Sequence, residues 1–305
     1  MISLKQLNYA LAVEKTLHFK KAAQLCHVSQ SALSTAINEL EKQLGILVFE
    51  RNNKQVLVTS DGKKILDKAK TIKLEVDELL QLSQVNKSPL SAPMTIGVIP
   101  TIGPYFLPKV LPEVRSNYPD FKLKIIEEQS HVLVEKVKLG EIDAAILALP
   151  YNIDGLMHFD FWQEDFYWVC HKDDSPSKVK EITHTELAIE KLMLLKEGHC
   201  LKDHALAACQ LKNKEPSDFD SASLHTLVQM VAGKLGSTLV PQMALDQLIH
   251  NASELRAIHL NEPGPHRVIA FVSRPNYVRT DELMLLNKIF TEQLSNSIKN
   301  KTRCL

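Results

Sequence analysis

The chain has 305 residues, 45% hydrophobic and 24% charged, a length and balance that fit about two globular domains. No stretch approaches the roughly 20 apolar residues of a membrane helix, and the N-terminus, MISLKQLNYALAVEKTLHFKK, lacks the basic-then-apolar leader of a secretory signal. A cytoplasmic protein without membrane contact is therefore expected. Net charge is zero, but residues 1–87 carry 13 Lys+Arg against 9 Asp+Glu, a head of +4 on a body of −4; such a head suits local contact with phosphate without overall stickiness.

In chain order, apolar residues from Leu4 to about Glu14 read as a first helix, and Phe19, Ala22, Ala23 and Leu25 as a short second one. Ser29 is an N-cap for a third, in which Leu33, Ile37, Leu40 and Leu44 repeat with the period of a half-buried helix. Gly45 ends it. Leu47–Phe49 and Val56–Val58 flank Arg51-Asn52-Asn53-Lys54, a hairpin with a basic tip. A long helix follows from about Ser60 to Gln84. Its narrow apolar stripe, Ile65, Ala69, Ile72, Val76 and Leu79, fits a partner helix or, alternatively, the head's own core.

Residues 86–93, NKSPLSAP, form a linker, after which strands alternate with helices. Strands are expected at Met94–Ile99, Phe121–Glu127 and Ala144–Leu149, and helices at Tyr105–Ser116 and His131–Leu139, a βαβαβ pattern that favours a mostly parallel sheet. Phe166–His171 opens a second run, with strands expected at Leu192–Leu195, Ser237–Val240, Leu255–Leu260 and Val268–Val272. Helices are expected at about Leu201–Leu211, Leu224–Ala232 and Thr280–Ile298.

The third helix presents a polar face of Gln30, Ser31, Ser34, Thr35 and Asn38, side chains that hydrogen-bond base edges or phosphates when such a helix enters the major groove. Arg51 and Lys54 are candidates for gripping phosphate beside that groove. The stretch FKKAAQLCHVSQSALSTAINELEKQLGILVFERNNKQVLVTSDG, Phe19 to Gly62, resembles the DNA-binding head of LysR-type regulators. The resemblance implies an α/β protein with an N-terminal winged helix-turn-helix (1–59, with Ser29 among its DNA-contacting residues), a dimerising linker helix (60–88) and a two-lobed effector domain like periplasmic binding proteins (94–305). Lobe I would use 94–165 and 269–305, lobe II 166–268. Ser31 and Ala36 depart from the family pattern, which commonly has proline and glutamine there.

Five cysteines are present, Cys26, Cys170, Cys200, Cys209 and Cys304, with no CxxC pair or zinc spacing, so neither a metal nor a cofactor is expected. The stretch Leu194–Cys209 is the informative one. An apolar run ends, Gly198 turns, and Cys200 sits at a helix start, where backbone N–H groups and the helix dipole favour a thiolate, with His199 and Lys202 beside it. Nine helical residues separate Cys200 from Cys209 by about 13 Å, whereas a disulfide needs Cα atoms within about 7 Å, so pairing them requires the helix to unwind. Spacing alone leaves a redox pair and two inert core thiols both open.

IGVIPTIGPYFLPKVLP and LMLLKEGHCLKDHALAAC resemble the OxyR branch of the LysR family, which senses hydrogen peroxide. That resemblance implies Cys200 as the peroxide-reactive thiol and Cys209 as the resolving one, with Thr101, Ser130, His199, Asp203 and Arg267 lining the pocket. Ser130 stands where threonine is usual and keeps the hydroxyl; Asp218 stands where some relatives have histidine. The implied partners are promoter DNA, peroxide as signal, a second chain forming dimers that associate to tetramers, and RNA polymerase. The implied protein is not an enzyme. Two competing readings are a LysR-type regulator answering to a small organic effector in the interlobe cleft, and an enzyme or transport-type binding protein with an unrelated head.

Overall fold

The computed structural model describes residues 1–51, 55–82, 88–175, 179–211, 221, 223–249 and 252–302. Lys54, Asp218 and Cys304 lie outside them. The chain divides into two compact units, residues 1–86 and 87–305.

The first unit opens with helices α1 (Leu4–Thr16), α2 (Phe19–Leu25) and α3 (Gln30–Leu44). Side chains set their limits. Ser3 and Gln6 form a reciprocal capping box at the start of α1. The Ser29 hydroxyl accepts from the Ala32 amide at 3.2 Å, and Gly45 turns left-handed at φ 68° to end α3. Strands β1 (Phe49–Arg51) and β2 (Val56–Val58) pair antiparallel. Arg51 thus lies in a strand rather than at a tip, and Leu47, assigned to the hairpin from sequence, is exposed outside it. Leu7, Val13, Ala22, Leu33, Ile37, Leu40 and Phe49 form the core of this unit.

Helix α4 (Ser60–Leu82) completes the unit, and the structure divides its apolar stripe in two. Ala69 is buried and Ile65 packs against the head core, joined by Leu66, so this half is occupied within its own chain. Ile72 and Leu79 are 44% and 65% exposed, and Val76 is half-buried. The stripe drifts off the head because a straight helix of 3.6 residues per turn does not keep a 3.5-residue seam on one side.

The second unit holds two sheets. Strand β3 (Met94–Val98), helix α5 (Gly103–Asn117), β4 (Leu123–Glu127), α6 (Ser130–Lys138) and β5 (Ala144–Leu149) run in order, as their apolar alternation predicts. Strand β6 (Met157–Glu164) follows, which the sequence reading passed over. Next come β7 (Phe166–His171), β8 (Glu181–Ile182), α7 (Cys200–Ala208), α8 (Leu224–Ala232), β9 (Thr238–Pro241), α9 (Leu245–Ile249) and β10 (Leu255–Leu260). Strand β11 (Arg267–Ser273) and helix α10 (Thr280–Thr302) end the fold. The first sheet has the order β4-β3-β5-β11-β6, the second β8-β10-β7-β9.

Only β4, β3 and β5 run parallel in the first sheet; β11 is antiparallel to both β5 and β6. The expected mostly parallel sheet is therefore a mixed one. The chain leaves it after β6, builds the second sheet, and returns through β11 in the opposite sense. Leu192–Leu195 is no strand either: it makes isolated bridges to Ser237 and Ser221, with Leu192, Met193 and Leu195 buried among neighbours without a ladder. Among the described residues, no helix is long and apolar enough to cross a membrane.

Candidate functional site

Three helices in the second unit begin without a side-chain cap: α5 after Ile102, α6 after Gln129 and α7 after His199. In α5 the Gly103, Tyr105 and Phe106 amides bond to the Ile99 and Ile102 carbonyls and Pro104 carries no N–H, and in α7 the Lys202 amide bonds to the His199 carbonyl. Thr101 precedes α5, Ser130 is the first residue of α6, and Cys200 is the first residue of α7. Thr101 is thus no cap, the ordinary role for a threonine after a strand. Helices α5 and α6 start just past the carboxyl ends of the parallel strands β3 and β4, the edge where open α/β sheets place ligands.

Arg267 and Glu164 organise the region. They face each other across the β11–β6 ladder, both side chains fully buried, with Nε and Nη2 of the arginine donating to Glu164 Oε1 at 2.7 and 2.6 Å. Glu164 Oε2 accepts from the Met243 amide at 2.7 Å. The same guanidinium donates to Thr101 Oγ1 at 3.3 Å and to the Thr101 carbonyl at 3.2 Å. An arginine has five N–H groups, so one stays available. Breaking such a pair by removing one partner typically costs about 3–5 kcal/mol, because it leaves an uncompensated buried charge.

Cys200 is 4% exposed and Ser130 2%. Burial pushes the Cys200 thiol up; the Ser130 hydroxyl hydrogen-bonding to it and the Arg267 charge pull it down, and Asp203 pushes it up again. The sequence reading placed a thiolate here with His199 and Lys202 beside it. The structure differs on both. At rest the buried sulfur favours the protonated form. Lys202 pairs at 3.6 Å with Glu197, and His199 lies 3.4 Å from the Gln129 amide nitrogen, its basicity lowered by burial and by Lys196. The stabilising groups come from β11 and α6 instead.

Thr101 and Arg267 are thus joined by hydrogen bonds, and Ser130 and the Arg267 charge act on Cys200, with His199 beside Gln129. The Asp203 side chain is exposed and acts on Cys200 by charge alone. Gly198 adopts φ 91°, and a Cβ there would stand 2.7 Å from Gln129 Oε1, so a side chain at this turn would displace the residue that contacts His199. Cys209, the C-cap of α7, is fully buried, and neither it nor Cys200 is in a disulfide. Cys170 is buried on β7, and Cys26 packs half-buried against the head core, as expected of structural thiols. Sequence reasoning missed Glu164, Gln129 and His204, whose placement only tertiary contacts reveal. Among the described residues, no cluster of three or more His, Cys, Asp or Glu is arranged to hold a metal.

In the first unit, Ser29, Gln30, Ser31, Thr35 and Asn38 are exposed and Ser34 is half-buried. Arg51 joins the wing to them. Its guanidinium lies 4.2 Å from the Phe19 ring centre, and donates to Ser34 Oγ at 3.0 Å and Asn38 Oδ1 at 2.8 Å. Glu41, buried, accepts from the Val48 and Phe49 amides at 2.8 and 2.9 Å and stands 3.7 Å from Arg51.

The buried thiol yields the first prediction. Ser130→Ala removes a group that stabilises the thiolate, so Cys200 should titrate higher still. At neutral pH its alkylation should slow about two- to tenfold, the range of a single hydrogen bond. Residue-resolved alkylation rates against pH measure this, and an unchanged profile would exclude Ser130 as a partner of the sulfur.

Residues 4–63 match the family "Bacterial regulatory helix-turn-helix protein, lysR family", and residues 87–294 match "LysR substrate binding domain". The regulator EstR of Acinetobacter baylyi is 37% identical over 273 residues, 89% of this chain and 90% of that protein. The dual regulator OxyR of Escherichia coli K12 is 34% identical over 277 residues, 90% of each. Among solved structures, a full-length OxyR variant from Pseudomonas aeruginosa superposes with a TM-score of 0.79 at 32% identity, covering 95% of both chains. A Corynebacterium glutamicum OxyR mutant with bound hydrogen peroxide has a TM-score of 0.65 at 30% identity, covering 98% of this chain and 94% of the other.

Proposed function

Because the chain belongs to the LysR family of bacterial helix-turn-helix regulators and is OxyR-like, we propose that it regulates transcription at promoter DNA in response to hydrogen peroxide, through Cys200 and Cys209. The setting of Cys200 carries this reading. A buried thiol at an uncapped helix start, whose pKa the Ser130 hydroxyl and the Arg267 charge both pull down, suits reaction with a very small oxidant. The relative whose solved form holds hydrogen peroxide supports it.

The chemistry balances in two steps. The Cys200 thiolate attacks one peroxide oxygen, the O–O bond breaks, and hydroxide leaves to become water, giving a sulfenic acid. The Cys209 sulfur then attacks the Cys200 sulfur, the S–O bond breaks, and a second water carries off the Cys209 proton. Two thiols supply the two electrons, so peroxide is a signal consumed once per disulfide and the protein is not an enzyme. In the first step Ser130 and Arg267 favour the charged sulfur. In the second, α7 must unwind to close about 13 Å to disulfide distance.

The proposed working form is a cytoplasmic dimer built on the exposed half of α4, with dimers associating to tetramers and meeting RNA polymerase at the promoter. An alternative reading, a small organic effector held between the two sheets, draws on the EstR relative, whose name does not mention peroxide. Against it, Thr101, Arg267 and Glu164 are already bonded to one another at 0–3% exposure.

The two cysteines separate the readings. Cys200→Ser should abolish both disulfide formation and the peroxide-dependent change in reporter transcription. Cys209→Ser should keep the first oxidation near its normal rate while the sulfenic acid persists, over-oxidises or pairs with a small thiol. Stopped-flow peroxide consumption with a sulfenic-acid probe measures both. Wild-type responses in both variants would overturn the redox reading in favour of the organic effector.

On the exposed half of α4, Ile72→Asp with Leu79→Asp should place charges in a desolvated seam and separate the chains. An unchanged mass by light scattering, where the wild type is oligomeric, would refute the seam.

For DNA, Arg51→Ala should weaken specific and unrelated sequences alike and reduce the salt slope of binding by about one phosphate contact. A slope equal to that of wild type would assign Arg51 to holding the helix face rather than to phosphate.

A further inference from the structure

We propose that His204 is the latch that holds α7 folded toward the end of β5, and so sets how fast an oxidised Cys200 reaches Cys209. The proposal rests on the redox reading above. His204 sits one helical turn after Cys200, on the same buried face of α7 as Cys200, Leu201 and Ala205. Its Nε2 lies 2.8 Å from the carbonyl oxygen of Pro150. Pro150 immediately follows β5 of the first sheet, whereas α7 lies in the stretch between β7 and β9 of the second. One side chain thus bonds the redox helix to the opposite sheet.

The chemistry of the bond fixes the tautomer. A carbonyl only accepts, so Nε2 carries the proton and donates it, leaving Nδ1 a bare acceptor. That nitrogen is buried without a hydrogen-bond partner, in a ring that is 2% exposed. The imidazole therefore makes one bond where it has capacity for two, and the unmade bond offsets part of what the made one contributes. When α7 unwinds, Nδ1 meets water and that cost is recovered. A latch of this kind holds the resting helix while remaining easy to release, as a switch needs when a single covalent event must open it.

The step it controls is the second one, in which the Cys209 sulfur displaces hydroxide from the sulfenic acid and the thiol proton leaves with it as water. Ser130, Arg267, Asp203 and the Cys200 backbone amide act on the Cys200 thiol, and Tyr151 lies within its field, whereas His204 is not among the groups that shift it. Loss of the latch should consequently leave the first oxidation unchanged and accelerate closure alone.

The test uses the full-length protein with His204→Leu, which fills the space without donating, and His204→Gln, whose amide can still donate to the Pro150 carbonyl. Stopped-flow measurement resolves sulfenic-acid formation from disulfide closure, and hydrogen exchange follows the amides of 201–208 in the reduced protein. Closure and exchange should both quicken about two- to tenfold with leucine, the effect of one hydrogen bond, and return toward wild type with glutamine. Should the leucine variant misfold, His204→Asn, with a shorter amide, takes its place. Equal closure and exchange in the leucine and native proteins would overturn the latch, as would a glutamine variant that behaves like leucine. If the native protein forms no 200–209 disulfide the redox reading falls, and the exchange measurement still decides whether His204 holds the helix.

Discussion

The buried pairing of Arg267 with Glu164 is the constraint on which the effector unit's architecture rests. The two residues stand at the points where the chain crosses between sheets: Glu164 ends the strand before the chain leaves the first sheet, and Arg267 begins the strand on which it returns. The remaining bonds of the pair run to Thr101, before a helix of the first sheet, and to Met243, beyond β9 of the second. Desolvating two charges cancels much of their attraction, so the pair contributes little net stability for its burial. What it contributes is position. The guanidinium is held where its charge acts on Cys200, and its location is fixed by residues of both sheets.

That arrangement accounts for a thiol that is both protected and usable. Burial favours the neutral sulfur, and the hydroxyl and guanidinium oppose that preference. A fully ionised thiolate at this position would be nucleophilic toward many oxidants and electrophiles. At Cys200 burial and the Asp203 charge push the thiol up while Ser130 and Arg267 pull it down, in an enclosure that leaves it 4% exposed.

Much of the fold was legible in the chain because it depends on local signals. The i, i+4, i+7, i+11 leucines and isoleucine of α3, with Ser29 before and Gly45 after, specify that helix completely. The alternation from Met94 to Leu149 gives the parallel core of the first sheet. Legibility fails where pairing is long-range. Strand β6 carries Asp160, Gln163 and Glu164 and looks polar, yet it forms the far edge of the sheet beside β11. The direction of β11 is dictated by the route through the second sheet, which no window of sequence contains. At the site, Gly198 and Cys200 were readable as a turn and a helix start. Glu164, Gln129 and His204 were not, since each gains its role from a partner 103, 70 and 54 residues away respectively. Asp203, placed in the pocket by the resemblance, has an exposed side chain and acts on Cys200 through its charge.

The inward-folded arginine of the wing has a kinetic meaning for a protein that must find one site among very many. Arg51 reaches back to Ser34, Asn38 and the Phe19 ring, so the guanidinium and two polar side chains of the third helix satisfy each other in the unbound head. To engage a phosphate or a base edge, that cluster has to exchange partners, and each exchange is favourable only where the new geometry is as good as the old. In the unbound head the Arg51 guanidinium is thus held back against its own third helix and the Phe19 ring.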